Sequence, residues 1–178
     1  MDFQSGVVDG YPPDVRQAVL DGVSRATAVA RQRGNPVIYV RLALRNGAPE
    51  VSPRNILFSR VAPLESFNEH DARTLVHPAV EPDPADVVVL KKRASAFSGS
   101  DLGVVLRSLD VTHLVLTGVA TSGVVMSTLC AASDLDYELT VLHDACADHD
   151  DQVHRVLCEK VFPLHARVIS VADWATSS

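Results

Sequence analysis

Long apolar runs are absent from this 178-residue chain. None approaches the roughly 20 residues that cross a bilayer, so a membrane-spanning protein is not expected. The start lacks a basic stretch followed by an apolar one, so no signal peptide is read there and a cytoplasmic protein is expected. Cysteine is scarce and unpaired in pattern. Cys130, Cys146 and Cys158 form no C-x-x-C pair, which argues against a disulfide frame or a zinc site and for reduced thiols. Positive charge is also in short supply. Sixteen Lys and Arg face 22 Asp and Glu, and a net charge of −6 speaks against a broad nucleic-acid surface. Internal repeats and low-complexity segments are missing too. What remains is 47% hydrophobic and 21% charged, the balance of an ordinary globule long enough to bury a core without staples.

Five short apolar runs stand out, at 37–44, 87–90, 114–119, 139–142 and 168–171. Most are β-branched and continuous rather than alternating, the pattern of strands buried on both faces of a parallel sheet. Helical patterns lie between them. Pro12-Pro13-Asp14 opens the first, and Val15, Val19, Val23, Ala26 and Ala30 recur at spacings of three and four. Gly34 ends it. Further helices are predicted over 100–109, 121–135 and 150–161. Strands alternating with helices imply right-handed crossovers with helices on both faces. The predicted fold is therefore α/β: a single domain over 1–178, built as a three-layer α/β/α sandwich on a mostly parallel, Rossmann-like sheet. Residues 45–85 break the rhythm with six of the ten prolines and are read as an excursion with one short helix at 55–61, covering a pocket or a subunit interface. A sheet of this kind normally places a strand before its first helix, yet only Met1-Asp2-Phe3-Gln4 precedes the first loop. The reading favours a natural start upstream, with part of the first strand missing here.

Ligands bind beyond the carboxyl ends of strands in open parallel sheets. Asp2, then Lys91-Lys92-Arg93, then residues 119–124, then His143-Asp144-Ala145-Cys146 stand at such ends. A carboxylate, an ammonium and a helix N-terminus converging there could make an acid/base site with an anion hole. At this level Asp2 could equally cap a loop and Lys91 could be a solvated strand-end charge.

Four segments carry a resemblance. They are Asp2-Phe3-Gln4, Lys91 to Leu102 (KKRASAFSGSDL), Gly118-Val119-Ala120-Thr121-Ser122-Gly123, and Asp144-Ala145. In this order the chain resembles the isochorismatase-like hydrolases, also called cysteine hydrolases, and the fold of that family is expected. The resemblance implies a Cys-Asp-Lys triad, with Asp2 as general acid/base and Lys91 as its charge partner. It implies an oxyanion hole from the N–H groups of Ala120 and Val124, and a cis peptide between Val119 and Ala120. The sequence departs at the decisive position: the nucleophilic Cys is replaced by Val124, and an isopropyl group cannot attack a carbonyl.

Three functions follow from that departure. The first is a small-molecule hydrolase acting through Asp2 and Lys91 without a thiol, as isochorismatases acting on a vinyl ether imply. The second is a catalytically silent member that binds a ligand or builds an oligomer. The third is a C–N amidohydrolase with a substitute nucleophile such as Cys146. Cys130 and Cys158 are read as buried small hydrophobes, and Thr121 and Ser122 as helix caps. Phe3, Gln4, Thr121, Arg54 and Asn55, together with Arg41, are candidate substrate contacts, since Arg grips carboxylates in a bidentate way. Lys92 and Arg93 are read as salt-bridge residues and Asp144 as a structural hydrogen-bonder. The run Asp148-His149-Asp150-Asp151 with His154 reads as an acidic helix start with exposed histidines. Residues 45–85 hold His70, Asp71 and His77 but no Asp-x-His, so neither a catalytic metal nor another cofactor is expected. The expected partners are a small-molecule substrate and further copies of the chain, as a dimer or tetramer.

Overall fold

The computed structural model describes residues 1–177. In chain order it contains α1 (Ser5–Val8), α2 (Pro13–Gln32), β1 (Ile38–Leu42), α3 (Ile56–Val61), β2 (Val87–Lys91), α4 (Leu102–Ser108), β3 (His113–Val119), α5 (Met126–Ser133), β4 (Glu138–Ala147), α6 (Asp151–Val156), β5 (Arg167–Ile169) and α7 (Val171–Thr176). All strand pairs are parallel: β1 with β2, β3 with β4, and β4 with β5. The pattern of β-branched runs and intervening helices thus folds into the α/β arrangement that the periodicity predicts.

Helix α2 starts where Pro13 and Asp14 place a preset φ and a negative charge in the first turn. It buries Val19, Leu20, Val23 and Ala26 against one face of the sheet, with Leu142, Ala145 and Trp174. The other face packs α5 and the turns that follow α6 through Leu129, Ala132, Leu157, Cys158 and Phe162. Residues 45–85 form α3, capped by the Asn55 side chain, and three short 3₁₀ turns. This excursion has its own small core of Leu42, Leu44 and Phe58 with Val51, Val61 and Phe67.

Several local expectations are corrected. Strand β4 continues past Leu142 to Ala147, because its register against β3 jumps from Leu116–Val141 to Gly118–Cys146. The intervening bulge holds Asp144, whose carboxylate accepts the Val171 N–H at 2.8 Å, as the structural reading of that residue anticipates. Val171 itself begins α7 instead of ending a strand, with Ser170 as the N-cap. Cys130 is exposed, since it falls on the outer face of α5.

The five strands form two hydrogen-bonded groups, β1–β2 and β3–β4–β5. Met1 and Asp2 join them. The Met1 nitrogen donates to the Thr117 carbonyl at 2.9 Å, Val119 N–H donates to the Met1 carbonyl at 3.2 Å, and Asp2 N–H donates to the Val40 carbonyl at 2.8 Å.

Candidate active site

Asp2 leaves the line of a strand with a φ of 59°, in the left-handed region that Asp tolerates better than most residues. Its backbone is held by Val40, and its carboxylate meets the side chain of Lys91 at the carboxyl end of β2. The Lys91 Nζ to Asp2 Oδ2 distance is 2.8 Å. Lys91 is 1% exposed and Asp2 8%. The same ammonium donates to the carbonyls of Arg93 and Ala94 at 2.9 and 2.8 Å. An ammonium has three donors, so Lys91 has none left for a substrate. It is a positioning residue that fixes and balances Asp2. The second oxygen of Asp2, Oδ1, is buried and has no hydrogen-bond partner. Buried carboxylate oxygens are rarely left alone.

The third wall is the turn after β3. The Val119–Ala120 peptide is cis. The chain then makes a single π-turn over Thr121–Val125 and runs into α5. Close approach explains Gly118: a Cβ there would come 2.9 Å from the Met1 carbonyl and 3.2 Å from Val124 Cγ1. Val124, which the family resemblance would put at the nucleophile's position, is buried among Leu116, Val125, Leu129 and Cys146. The first N–H groups of a helix have no partner within it. One of them, from Ser122, is taken by Asp148 Oδ2 at 2.7 Å.

Two residues join the site that the sequence did not flag for it. Asp148 is one, through that bond to the turn. Tyr11, at the entry to α2, is the other: it is buried, stacks on His149 with ring centroids 4.3 Å apart, and leaves its hydroxyl without a partner. Burial and the nearby charges of Asp148 and Asp2 push its ionisation up, so it remains a neutral donor. Sequence spacing gives no sign of either, because each acts across a tertiary contact.

Other candidates have different tasks. Gln4 is fully buried and closes both ends of a hydrogen-bond pair with Leu42, its Nε2 donating to the carbonyl at 2.8 Å and its Oε1 accepting the N–H at 2.6 Å; it is structural. Phe3 is a core residue beside α2. Thr121 caps nothing; its hydroxyl lies 2.8 Å from His154 Nδ1. His154 is therefore half-buried rather than exposed, and burial lowers its pKa. Asn55 spends its side chain on capping α3, accepting from Phe58 N–H at 3.0 Å. Arg54 is exposed on the excursion. Arg41 donates to the Thr74 carbonyl and hydroxyl, both at 3.1 Å. Lys92 and Arg93 hold the excursion: Lys92 binds the Ala43 carbonyl and faces Glu50 and Glu69, and Arg93 binds the Glu50 carbonyl. Cys146, the candidate substitute nucleophile, is buried beside Gly118, and desolvation pushes its thiol up to about 12, which disfavours the thiolate. Among the described residues no three His, Cys, Asp or Glu side chains gather as a metal ion would need. No helix among them is long and apolar enough to cross a membrane.

Residues 1–173 match the isochorismatase domain. The chain belongs to the isochorismatase family of hydrolases. An isochorismatase family protein of Escherichia coli O157:H7, YecD, is 28% identical over 182 residues, covering 97% of this chain and 90% of its own. The ureidoacrylate amidohydrolase RutB of Variovorax paradoxus (strain S110) is 32% identical over 155 residues; the match covers 79% of this chain and spans 61% of that relative's length. Among solved structures, an isochorismatase family protein from Burkholderia thailandensis superimposes with a TM-score of 0.84 at 29% identity, over 97% of this chain and 89% of that one. The fold expected from the family resemblance is thereby confirmed.

Proposed function

We propose that this family member hydrolyses a small molecule by acid/base chemistry at Asp2, with no covalent intermediate. The single observation that carries the reading is the asymmetry of the Asp2 carboxylate: Oδ2 is fixed by Lys91, while Oδ1 is buried and unpartnered. In a vinyl ether, Oδ1 delivers a proton to the terminal carbon of the double bond. Water adds to the resulting cation, the hemiketal releases the alcohol, and the proton returns to Asp2. Lys91 keeps the carboxylate oriented throughout. Tyr11 offers its hydroxyl to a polar group of the substrate, and the remaining N–H groups of the 120–124 turn face an oxygen that gains charge.

The packing of Val124 favours one competing reading. Val124 is buried in an apolar cluster and carries no nucleophilic atom, which also suits a member that binds a ligand without turning it over.

The test is turnover of isochorismate, ureidoacrylate, N-carbamoyl compounds and nicotinamide by the wild type, Asp2→Asn, Tyr11→Phe and Val124→Cys. We expect vinyl-ether hydrolysis that survives iodoacetamide. Asp2→Asn should lower kcat/KM by about 10²–10⁴-fold, the usual contribution of a positioned acid/base. Tyr11→Phe should lower it by a few-fold to about tenfold, the worth of one neutral hydrogen bond. A silent wild type, with amidase activity appearing only in Val124→Cys, would sink the proposal in favour of the binding role.

A further inference from the structure

Negative charge gathers on one side of the candidate site with no cation to meet it. Asp148 follows the last residue of β4, and its Oδ2 accepts the Ser122 N–H at 2.7 Å. Its Oδ1 has only the Asp150 N–H, at 3.5 Å. Asp2 pairs with Lys91, whereas Asp148 forms no ion pair among the described residues. The cations that end β2 and follow it are spent. All three donors of Lys91 are in use. Lys92 sits between Glu50 and Glu69, and Arg93 is bound to two backbone carbonyls.

Two buried polar atoms mark where a ligand would meet this charge. Tyr11 is 4% exposed and Asp2 8%, and neither the Tyr11 hydroxyl nor Asp2 Oδ1 has a hydrogen-bond partner. After burial itself, the charges of Asp148 and then Asp2 raise the ionisation of Tyr11. Its hydroxyl therefore lies in the field of both carboxylates. The turn after β3 points the same way. Ser122 gives its N–H to Asp148, and Gly123 and Val125 give theirs to the Ala120 carbonyl at 3.1 and 3.3 Å. The start of a helix favours an anion, and here a carboxylate of the chain itself takes that part. A full oxyanion held at this turn would be repelled by Asp148, and a cation would be attracted.

We propose that this site selects for positive charge and that Asp148 sets the preference. The inference rests on the acid/base reading of Asp2 and names what that chemistry needs next. When Oδ1 gives its proton to the terminal carbon of a vinyl ether, the π electrons form the new C–H bond. The ether carbon and oxygen then share a positive charge. Asp2 is left as a carboxylate whose charge Lys91 balances, so Asp148 supplies the unbalanced negative field. Water forms the next C–O bond, and its proton returns to Asp2. The field lowers the barrier because the organic group is charged only over this interval. By the same logic the site accepts small organic ammonium ions, which carry that charge permanently.

The probes are cyclohexylammonium and cyclohexanecarboxylate, alike in shape and opposite in charge. They are titrated at about pH 8, above the ordinary range of imidazole, and followed by the amide signals of Tyr11 and Ser122. The ammonium ion is expected to bind at least about tenfold tighter, with a preference that shrinks as salt is added. Asp148→Asn keeps an acceptor for Ser122 but removes the charge, and should erase most of the preference. Asp151→Asn, which removes an exposed carboxylate on α6, should leave it unchanged. For the vinyl ether that the wild type turns over, Asp148→Asn should lower kcat about tenfold. In a Val124→Cys background it should instead raise amide hydrolysis, whose intermediate is an oxyanion. Equal affinity for the two probes, tighter binding of the carboxylate or no binding of the ammonium ion would overturn the proposal. A preference that survives Asp148→Asn would overturn the assignment to Asp148. A wild type that shows the preference but hydrolyses no vinyl ether keeps the charge selection and removes the acid/base reading. One that hydrolyses a vinyl ether without the preference does the reverse.

Discussion

The two ends of one gap in the sheet behave differently. At the carboxyl end, between β1 and β3, buried polar groups find partners: the Asp2–Lys91 ion pair, two carbonyls on the same ammonium, and Gln4 closing on Leu42. Two buried side-chain atoms there have none, Asp2 Oδ1 and the Tyr11 hydroxyl, and they are where chemistry is expected. At the amino end the same two strands border about 740 Å³ of apolar space. The contrast teaches that the two ends are held differently. Met1 and Asp2 supply the backbone bonds that join β1 and β3 at the carboxyl end, and Lys91 and Gln4 add side-chain bonds there.

The sharpest way to break the comparison is to remove one charge from the closed end. Lys91→Met strands the Asp2 carboxylate in a buried place with no cation. Removing one partner of a buried pair typically costs about 3–5 kcal/mol, so a urea midpoint should fall by that equivalent. Asp2→Asn combined with Lys91→Met should recover much of it, because no unpaired charge is left. If the double variant is as unstable as Lys91→Met, the ion pair is not the element that holds this end.

Packing offers a second, smaller contrast. Leu129 is buried in the closed core under α5, and Leu106 is equally buried but borders the open cavity. Leu→Ala in a packed core costs about 2–5 kcal/mol, more where surroundings cannot relax. Leu129→Ala is expected near the top of that range and Leu106→Ala near the bottom, since fewer neighbours are there to lose. Equal losses by denaturant unfolding would mean that the cavity walls are as tightly packed as the core.

How much of this was legible beforehand differs by level. The β-branched runs gave the parallel strands because a strand buried on both faces has no polar positions to hide it. The bulge of β4 was not legible: His143 and Asp144 interrupt the apolar run, although the strand resumes at Cys146 beside Gly118. Asp2 and Lys91 came from motif resemblance, not spacing, since 89 positions of chain separate two side chains 2.8 Å apart. The roles of Tyr11, Asp148 and His154 were hidden for the same reason. Each depends on loops meeting across the sheet, and a histidine near acidic neighbours reads as exposed until its burial is known. Phe3 and Gln4 adjoin Asp2 in the motif but have other tasks: Phe3 packs in the core beside α2, and Gln4 spends its buried amide on the Leu42 backbone.

The last contrast is in titration. His154 belongs to the closed end, where its Nδ1 lies 2.8 Å from the Thr121 hydroxyl at the start of the turn after β3. A neutral ring accepts that proton, and burial is the leading reason its pKa falls below the usual 6.5. The unfolded chain binds a proton near 6.5 while the folded chain does not. Across that interval the unfolded state holds more protons, so stability rises with pH. The contribution is complete above about pH 6.5 and is lost as pH drops through the lower folded value. Thermal midpoints from pH 5 to 8 should therefore fall on the acid side for the wild type. His154→Gln keeps an acceptor for Thr121 without a titrating proton, and should flatten the slope. The remaining histidines are shared by both proteins, so the difference between the two curves isolates this one ring. Parallel curves would mean that the Thr121–His154 contact does not discriminate between protonation states.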